Sequence, residues 1–181
     1  MKKHNILAGV FLLLSLTTFG QDLAGRKIIN GSLSANIISG SGQTITSFGG
    51  SLLYGKIKND NTYWAYGGSI NVLSNIAESP NMVMLGPAIE RGKFVKIIDK
   101  LYLAPYIGGS VKGIFGDING FNINAYASPL RFMYHITNQF MVSAGFGSAS
   151  LQFNRLERTT IFNLNGSITN NTNFGVFYTF K

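Results

Sequence analysis

The sequence contains no cysteine, which excludes disulfide bonds, thiolate catalysis and cysteine-ligated metal sites. Histidine is almost as scarce, because only two are present and one of them, His4, lies in the N-terminal leader. Charged residues make up 12% of the 181 residues, about half the usual share of a soluble domain. We therefore expect no metal and no cofactor, and a chain that is unlike an ordinary soluble protein.

Long apolar runs are also lacking. The longest, at residues 6–16, has eleven residues, whereas a membrane-spanning helix needs about twenty. It follows two lysines and precedes small residues at the −3 and −1 positions before Gln21, which is the pattern of a secretory signal peptide. The sequence thus predicts a signal peptide at residues 1–20 and an exported domain at residues 21–181.

Acidic residues are few, with seven Asp and Glu against fifteen Lys and Arg. The net charge of +8 by itself would indicate an anionic partner. The basic residues are dispersed and the chain is exported, so we expect no nucleic-acid binding. What the chain does contain is glycine, phenylalanine and tyrosine, a composition typical of strands and turns.

Apolar and small polar residues alternate with a period of two in eight segments after Gln21. The sixth segment, residues 120–136, changes parity, and a bulge at Ser128 and Pro129 would restore a single apolar face. Residues 155–172 show the weakest pattern. Turn signals fall into two alternating sets, at residues 59–61, 98–100 and 137–139, and at residues 39–42, 78–81, 116–119 and 155–158. We expect eight antiparallel strands in up-and-down order.

The residues on the polar side of the alternation are mostly Ser, Asn, Gly, Thr and Ala, with roughly one charge per strand. Soluble surfaces carry about 25–35% charged residues, so this face fits a narrow lumen, and the apolar parity fits lipid. An open sheet edge in hydrocarbon would leave backbone groups unsatisfied, which requires closure. The sequence therefore predicts an eight-stranded transmembrane β-barrel, and a soluble periplasmic barrel remains the alternative.

Six aromatic residues lie beside the first set of turns or the C-terminus. They are Tyr54, Trp64, Tyr134, Phe140, Tyr178 and Phe180. In a barrel these positions share one rim, where they form an aromatic girdle at a membrane interface. Export and an even strand number leave both termini in the periplasm, so we expect a periplasmic girdle.

Residues 126–140, YASPLRFMYHITNQF, with the following Gly145-Phe146-Gly147-Ser148, resemble the small outer-membrane β-barrel family, OmpA/OmpX-like and often called the porin family. Residues 173–180, NFGVFYTF, are similar to that family's last strand, although Lys181 follows the final aromatic. The resemblance implies a location in the outer membrane of a Gram-negative bacterium. It also implies recognition of the last strand by the barrel-assembly machinery. We further expect outer-membrane lipids as partners and a monomer.

Three charged residues fall on the inferred lumen face, namely Glu90, Lys112 and Arg131. A buried charge is costly unless it is paired, so we interpret them as an internal network with Tyr106 and Tyr126 as partners. The network would plug the lumen. A path for solutes or protons is the alternative.

Two further sets of residues have a possible chemical role. His135, Ser128 and Glu90 could form the constellation of a lipid hydrolase, but we interpret His135 as a non-catalytic rim residue. A basic set could bind lipid phosphates and is interpreted as a solvated turn: Arg91, Lys93, Lys96 and Lys100.

An eight-stranded barrel is just wide enough to be filled by its own side chains. We therefore expect a non-enzymatic outer-membrane barrel with a structural or surface-interaction role. The alternatives are a narrow channel for small solutes or ions and a lipid-modifying enzyme.

Overall fold

The structure is a computed structural model that describes residues 23–40, 43–75, 81–157, 159–167 and 173–181. The signal peptide expected at residues 1–20 lies outside these described residues, as do parts of the turns expected at residues 39–42, 78–81 and 155–158. In the described part of the chain, all regular structure is β-strand and all strand pairs are antiparallel. No helix long and apolar enough to cross a membrane occurs there.

Thirteen strand segments form a single sheet. They are β1 (Lys27–Gly40), β2 (Gln43–Ile57), β3 (Thr62–Asn75), β4 (Met82–Lys93), β5 (Val95–Ile98), β6 (Leu101–Leu103), β7 (Tyr106–Gly116), β8 (Gly120–Ser128), β9 (Leu130–His135), β10 (Phe140–Phe146), β11 (Ser148–Leu156), β12 (Thr159–Ser167) and β13 (Asn173–Phe180). Their order in the sheet is β12-β11-β8-β7-β4-β3-β2-β1-β13-β10-β9-β6-β5.

Several segments are separated by only one or two residues. Pro105 and Pro129 stand in two of these breaks, and proline cannot donate a ladder hydrogen bond. Ser128 and Arg131 are both buried on either side of Pro129, so the burial pattern changes parity there, as the sequence predicts. A second change occurs at Gly147, whose φ of 74° suits glycine. The sequence pattern does not predict that second change.

The sheet is so strongly curled that side chains from distant strands meet. Glu90 on β4 and Arg131 on β9 are 3.0 Å apart, although five strand segments lie between them in the sheet order. Asn30 on β1 reaches the same carboxylate. One face of the sheet is therefore enclosed and the other is exposed.

The exposed face is apolar. Leu33 has 72% of its surface exposed and Leu52 has 64%, whereas Asn30, next to them on the other parity, is buried. Other large apolar side chains on this face include Phe48, Tyr66, Leu85, Ile107, Val111, Phe115, Ile123, Phe146 and Leu164. The alternation therefore places apolar residues outward, as expected from the sequence.

The enclosed face is not polar throughout. An inner apolar cluster fills the end near the turns at residues 58–61, 99–100 and 136–139, and its larger members are Leu23, Ile28, Leu53, Ile57, Tyr63, Phe94, Tyr102, Met133, Met141 and Phe177. The expectation of a small, polar inner face is wrong at this end. Adjacent apolar pairs such as Leu52-Leu53 and Met141-Val142 are the sequence signal for it, since both faces of the strand are then apolar.

The turn between β2 and β3 is held by Asp60. Its Oδ1 accepts hydrogen bonds from the Thr62 backbone N–H at 3.0 Å and from Thr62 Oγ1 at 2.6 Å. These bonds favour the carboxylate and lower the pKa of Asp60 below 3.8. Asn61, which follows, has a positive φ of 60°.

We expect Asp60→Ala to destabilise the protein modestly at neutral pH and to have little effect in strong acid. Because the pKa is lower in the folded protein, the contribution is present above the unfolded pKa and is lost as the pH falls through the folded pKa. Urea unfolding of both proteins between pH 2 and pH 7 measures the difference in midpoint. An equal difference at all pH values would contradict this origin.

Candidate functional site

The centre of the enclosed face is a buried ion pair. Glu90 and Arg131 are only 4% and 5% exposed, and Arg131 Nη1 lies 3.0 Å from Glu90 Oε1. The Tyr63 hydroxyl donates a short hydrogen bond to the carboxylate and accepts one from Arg131 Nη2. Asn30 Nδ2 lies 3.4 Å from both carboxylate oxygens. The carboxylate is thus surrounded by donors, which offsets the cost of removing it from water.

The guanidinium group of Arg131 is enclosed by protein. Its Nε donates to the carbonyl oxygen of Ala104 at 3.1 Å. That residue lies in the break between β6 and β7. The guanidinium carbon is 3.9 Å from the centre of the Tyr106 ring and 4.9 Å from that of Phe177. Arginine is well suited to such a place, because its planar cation stacks on aromatic rings while its N–H groups pair with oxygen.

A glycine makes room for this arrangement. A Cβ atom at Gly92 would lie 2.6 Å from the ring and hydroxyl of Tyr63, closer than real contacts allow. The small residue therefore lets the Tyr63 ring stand beside Glu90. Tyr63 is fully buried and packs against Phe94 at 5.1 Å between ring centres.

Lys112 does not join the ion pair. It is 8% exposed, and its Nζ donates to Asn71 Oδ1 at 2.5 Å. No carboxylate of the described residues forms a salt bridge with it. The structure therefore brings together Glu90 and Arg131 of the expected network and places Lys112 apart from them.

A polar cavity of about 300 Å³ adjoins the ion pair, and Glu90 and Arg131 form part of its lining. Side chains with polar groups line it on several strands, including Asn30, Ser51, Ser69, Asn71, Glu90, Ser110, Lys112, Asn124, Tyr126 and Arg131. Tyr106 and Tyr126, both expected as network partners, line it and have ring centres 6.1 Å apart. Neither forms the main bonds of the ion pair, which are made by Tyr63 and Asn30.

The aromatic residues expected to form a girdle occupy one end of the sheet. Phe140 is in register with Tyr178, and the rings of Tyr54 and Tyr178 are 6.4 Å and 5.8 Å from that of Phe180. Arg91 stacks over Trp64, with 5.3 Å from its guanidinium carbon to the ring centre. The remaining member, Tyr134, is in register with Val142 on β10.

The residues considered for hydrolysis are engaged elsewhere. Ser128 Oγ donates to the carbonyl of Gly147 at 3.1 Å, and His135 Nδ1 lies 3.2 Å from the carbonyl of Thr137. Glu90 is held by Arg131. Within the described residues these three therefore make no hydrogen-bonded set, which nucleophilic catalysis requires.

The basic residues between positions 91 and 100 do not form a single site. Arg91 stacks on Trp64, and Lys96 pairs with Asp99 at 2.7 Å. Lys93 is exposed at the end of β4, and Lys100 lies in the turn before β6. In the described part of the chain, no group of three or more His, Asp or Glu side chains is placed to hold a metal ion.

Tyr63, Asn30 and Asn71 were not predicted from the sequence as partners of the buried charges. All three lie on the inward side of the alternation, Tyr63 and Asn71 with Ala65 on β3 and Asn30 with Ile28 on β1. Their inward direction could therefore be predicted, but the charge that each would meet could not. The chain matches no protein-family model, and no curated protein is significantly similar to it. The site is therefore interpreted from its own geometry.

Proposed function

We propose that this chain is an eight-stranded integral outer-membrane β-barrel with a structural or surface-interaction role and no enzymatic activity. The observation that carries the proposal is the apolar exposed face of a sheet whose enclosed face holds ions and polar groups. The proposal includes membership of the small OmpA/OmpX-like barrel family, secretion by a signal peptide, and assembly through the last strand.

Eight strands follow if segments separated by one or two residues belong to one strand. β4 with β5, β6 with β7, β8 with β9 and β10 with β11 then become single interrupted strands. The proposal also counts β12 and β13, which are five residues apart, as the last strand. Each long strand pairs with the next one in sequence, and β13 also pairs with β1. This pairing, in which residues 27–32 of β1 lie against β13, supports the proposal of a ring in up-and-down order. A closed ring would leave no free edge in the membrane.

Lipid is the solvent that fits the exposed face. In water, a continuous surface containing Leu33, Leu52, Leu85 and Phe115 would far exceed the patch that a soluble monomer normally exposes. In lipid, the same surface costs nothing. The aromatic end of the sheet then corresponds to one membrane interface, and we assign it to the periplasmic side.

The contents of the interior favour a plugged lumen rather than a channel. The inner apolar cluster fills one end, and the ion pair of Glu90 and Arg131 lies above it. A hydrated ion would have to displace buried aromatic and aliphatic side chains to pass. We therefore favour a non-conducting barrel, and planar-bilayer recordings with discrete conductance steps would contradict this.

We expect the full-length chain, expressed in a Gram-negative host, to be recovered in the outer-membrane fraction. It should stay there during an alkaline carbonate wash and should dissolve only in detergent, because its apolar face is covered by lipid. The unheated protein should also migrate differently from the boiled protein on a denaturing gel, as a folded barrel does. Recovery in the wash without detergent would refute the proposal.

A further inference from the structure

Among the residues that the structure describes, one positive charge lining the polar cavity has no carboxylate partner. The described buried residues with ionic side chains are Glu90, Arg131 and Lys112, and the first two neutralise each other. This leaves the ammonium group of Lys112, which has one hydrogen bond to Asn71 among the described residues. An ammonium group has three N–H donors, and a buried charge without a counter-charge is costly.

Two serines that line the same cavity as Lys112 have hydroxyl groups without hydrogen-bond partners among the described residues. Ser110 is 6% exposed, stands two residues before Lys112 on β7, and its Oγ has no hydrogen-bond partner in the described structure. Ser69 Oγ on β3 is likewise buried and unpartnered. Both residues and Lys112 line the same cavity. Buried polar groups are normally satisfied, so these donors point to a ligand.

The polar cavity continues toward the end of the sheet opposite the aromatic girdle. Lys112, Asn71 and Asn124 also line a second cavity of about 450 Å³ that reaches Met82 and Leu156, at the end of the sheet opposite the aromatic girdle. The inner apolar cluster closes the other end. A solute would therefore enter from the side opposite the girdle and stop at Lys112.

We propose that the polar cavity binds a small oxyanion, a carboxylate or a phosphate group. The Lys112 ammonium supplies the counter-charge, and the hydroxyls of Ser110 and Ser69 donate hydrogen bonds to the oxyanion. The volume of about 300 Å³ is at the lower end for ligand pockets, which fits a small acid. This goes beyond the proposed function but rests on the proposed closed barrel, since closure keeps the cavity separate from lipid.

The test uses the purified full-length protein folded in detergent, with sodium acetate and sodium phosphate as separate probes at constant ionic strength. Saturation-transfer NMR detects acetate binding, and broadening of the ³¹P line detects phosphate binding. We expect binding of at least one probe, a loss of about tenfold or more in affinity for Lys112→Met, and nearly full affinity for Lys112→Arg, because hydrogen bonds to a charged group are strong. Acetate alone would identify a carboxylate ligand, and phosphate alone a phosphate ligand.

Two further variants test whether binding depends on the serine donor and on the position of the positive charge. Ser110→Ala removes one donor and should weaken binding by a few-fold, whereas Lys58→Met removes an exposed charge in the β2–β3 turn and should leave it unchanged. Absence of binding by the wild type, or equal binding by Lys112→Met, would overturn the oxyanion site. Gel mobility of the same samples reports barrel folding independently, so a folded barrel that binds neither probe refutes this inference and leaves the proposed function intact.

Discussion

Arg131→Met should lower the free energy of unfolding by about 3–5 kcal/mol, because it leaves the Glu90 carboxylate buried without its counter-charge. Tyr63 and Asn30 would remain as donors, but neither carries a positive charge. The variant also removes the stacking on Tyr106. Urea unfolding of protein refolded in lipid vesicles, followed by Trp64 fluorescence and gel mobility, measures the change.

The matched control is Lys58→Met, which removes an exposed positive charge in a turn and should change stability by less than about 0.5 kcal/mol. The double variant Glu90→Gln with Arg131→Met should recover much of the loss, because neither partner is then a buried unpaired ion. If Arg131→Met were as stable as the wild type, the ion pair would not hold the two sides of the curled sheet together.

Leu33→Arg should destabilise the protein by about 2–4 kcal/mol if the apolar face is in lipid, since that is the cost of an arginine near the bilayer midplane of a β-barrel. Leu33 is 72% exposed. It lies four residues along β1 from Ile29, which is in register with both Tyr54 and Tyr178 of the girdle. That spacing is about 13 Å along the strand, deep within the apolar band.

If the apolar face were in water, the same substitution would have little effect on stability. An exposed leucine replaced by arginine on a soluble surface changes stability by about 0.5 kcal/mol or less and improves solubility. Ile136→Arg is the control, because Ile136 is also apolar and exposed, at 52%, but lies in the turn after β9. The two variants unfold in the same vesicles, so a large loss for Leu33→Arg together with a small one for Ile136→Arg identifies lipid as the solvent.

The strand content and the direction of the side chains were predictable, because the period of two is a local property of the backbone. Neighbouring residues alone were enough to predict that Trp64 and Tyr66 point outward and Ala65 inward. The same holds for the change of parity around Pro129. The inner apolar cluster was harder to predict. It depends on Leu53, Tyr63 and Met141, which are individually small departures from the alternation and matter only because curvature brings them together.

The ionic residues of the candidate site were expected on the inner face, but their pairing and their polar partners were not predicted. Glu90, Lys112 and Arg131 were all expected inward, and all are buried. The curvature of the sheet and the offset between its strands decide which cation meets Glu90. The two-residue period of the sequence encodes neither of them. Arg131 lies within reach of Glu90 at 3.0 Å, and Lys112, although closer in sequence, bonds to Asn71 instead.

The amino-acid sequence by itself determined an all-β chain without cysteine chemistry, with alternating strands, a predominantly apolar face and a few ionic residues on the other face. Those features depend on residue type and on the two-residue repeat of a strand. Only the tertiary structure decided that Tyr63 and Asn30 surround the ion pair and that apolar residues close one end. It also decided that Lys112 lines a cavity in which none of the described carboxylates forms a salt bridge with it. These depend on contacts across the enclosed space, where residues from distant strands come within a few ångströms of each other through curvature.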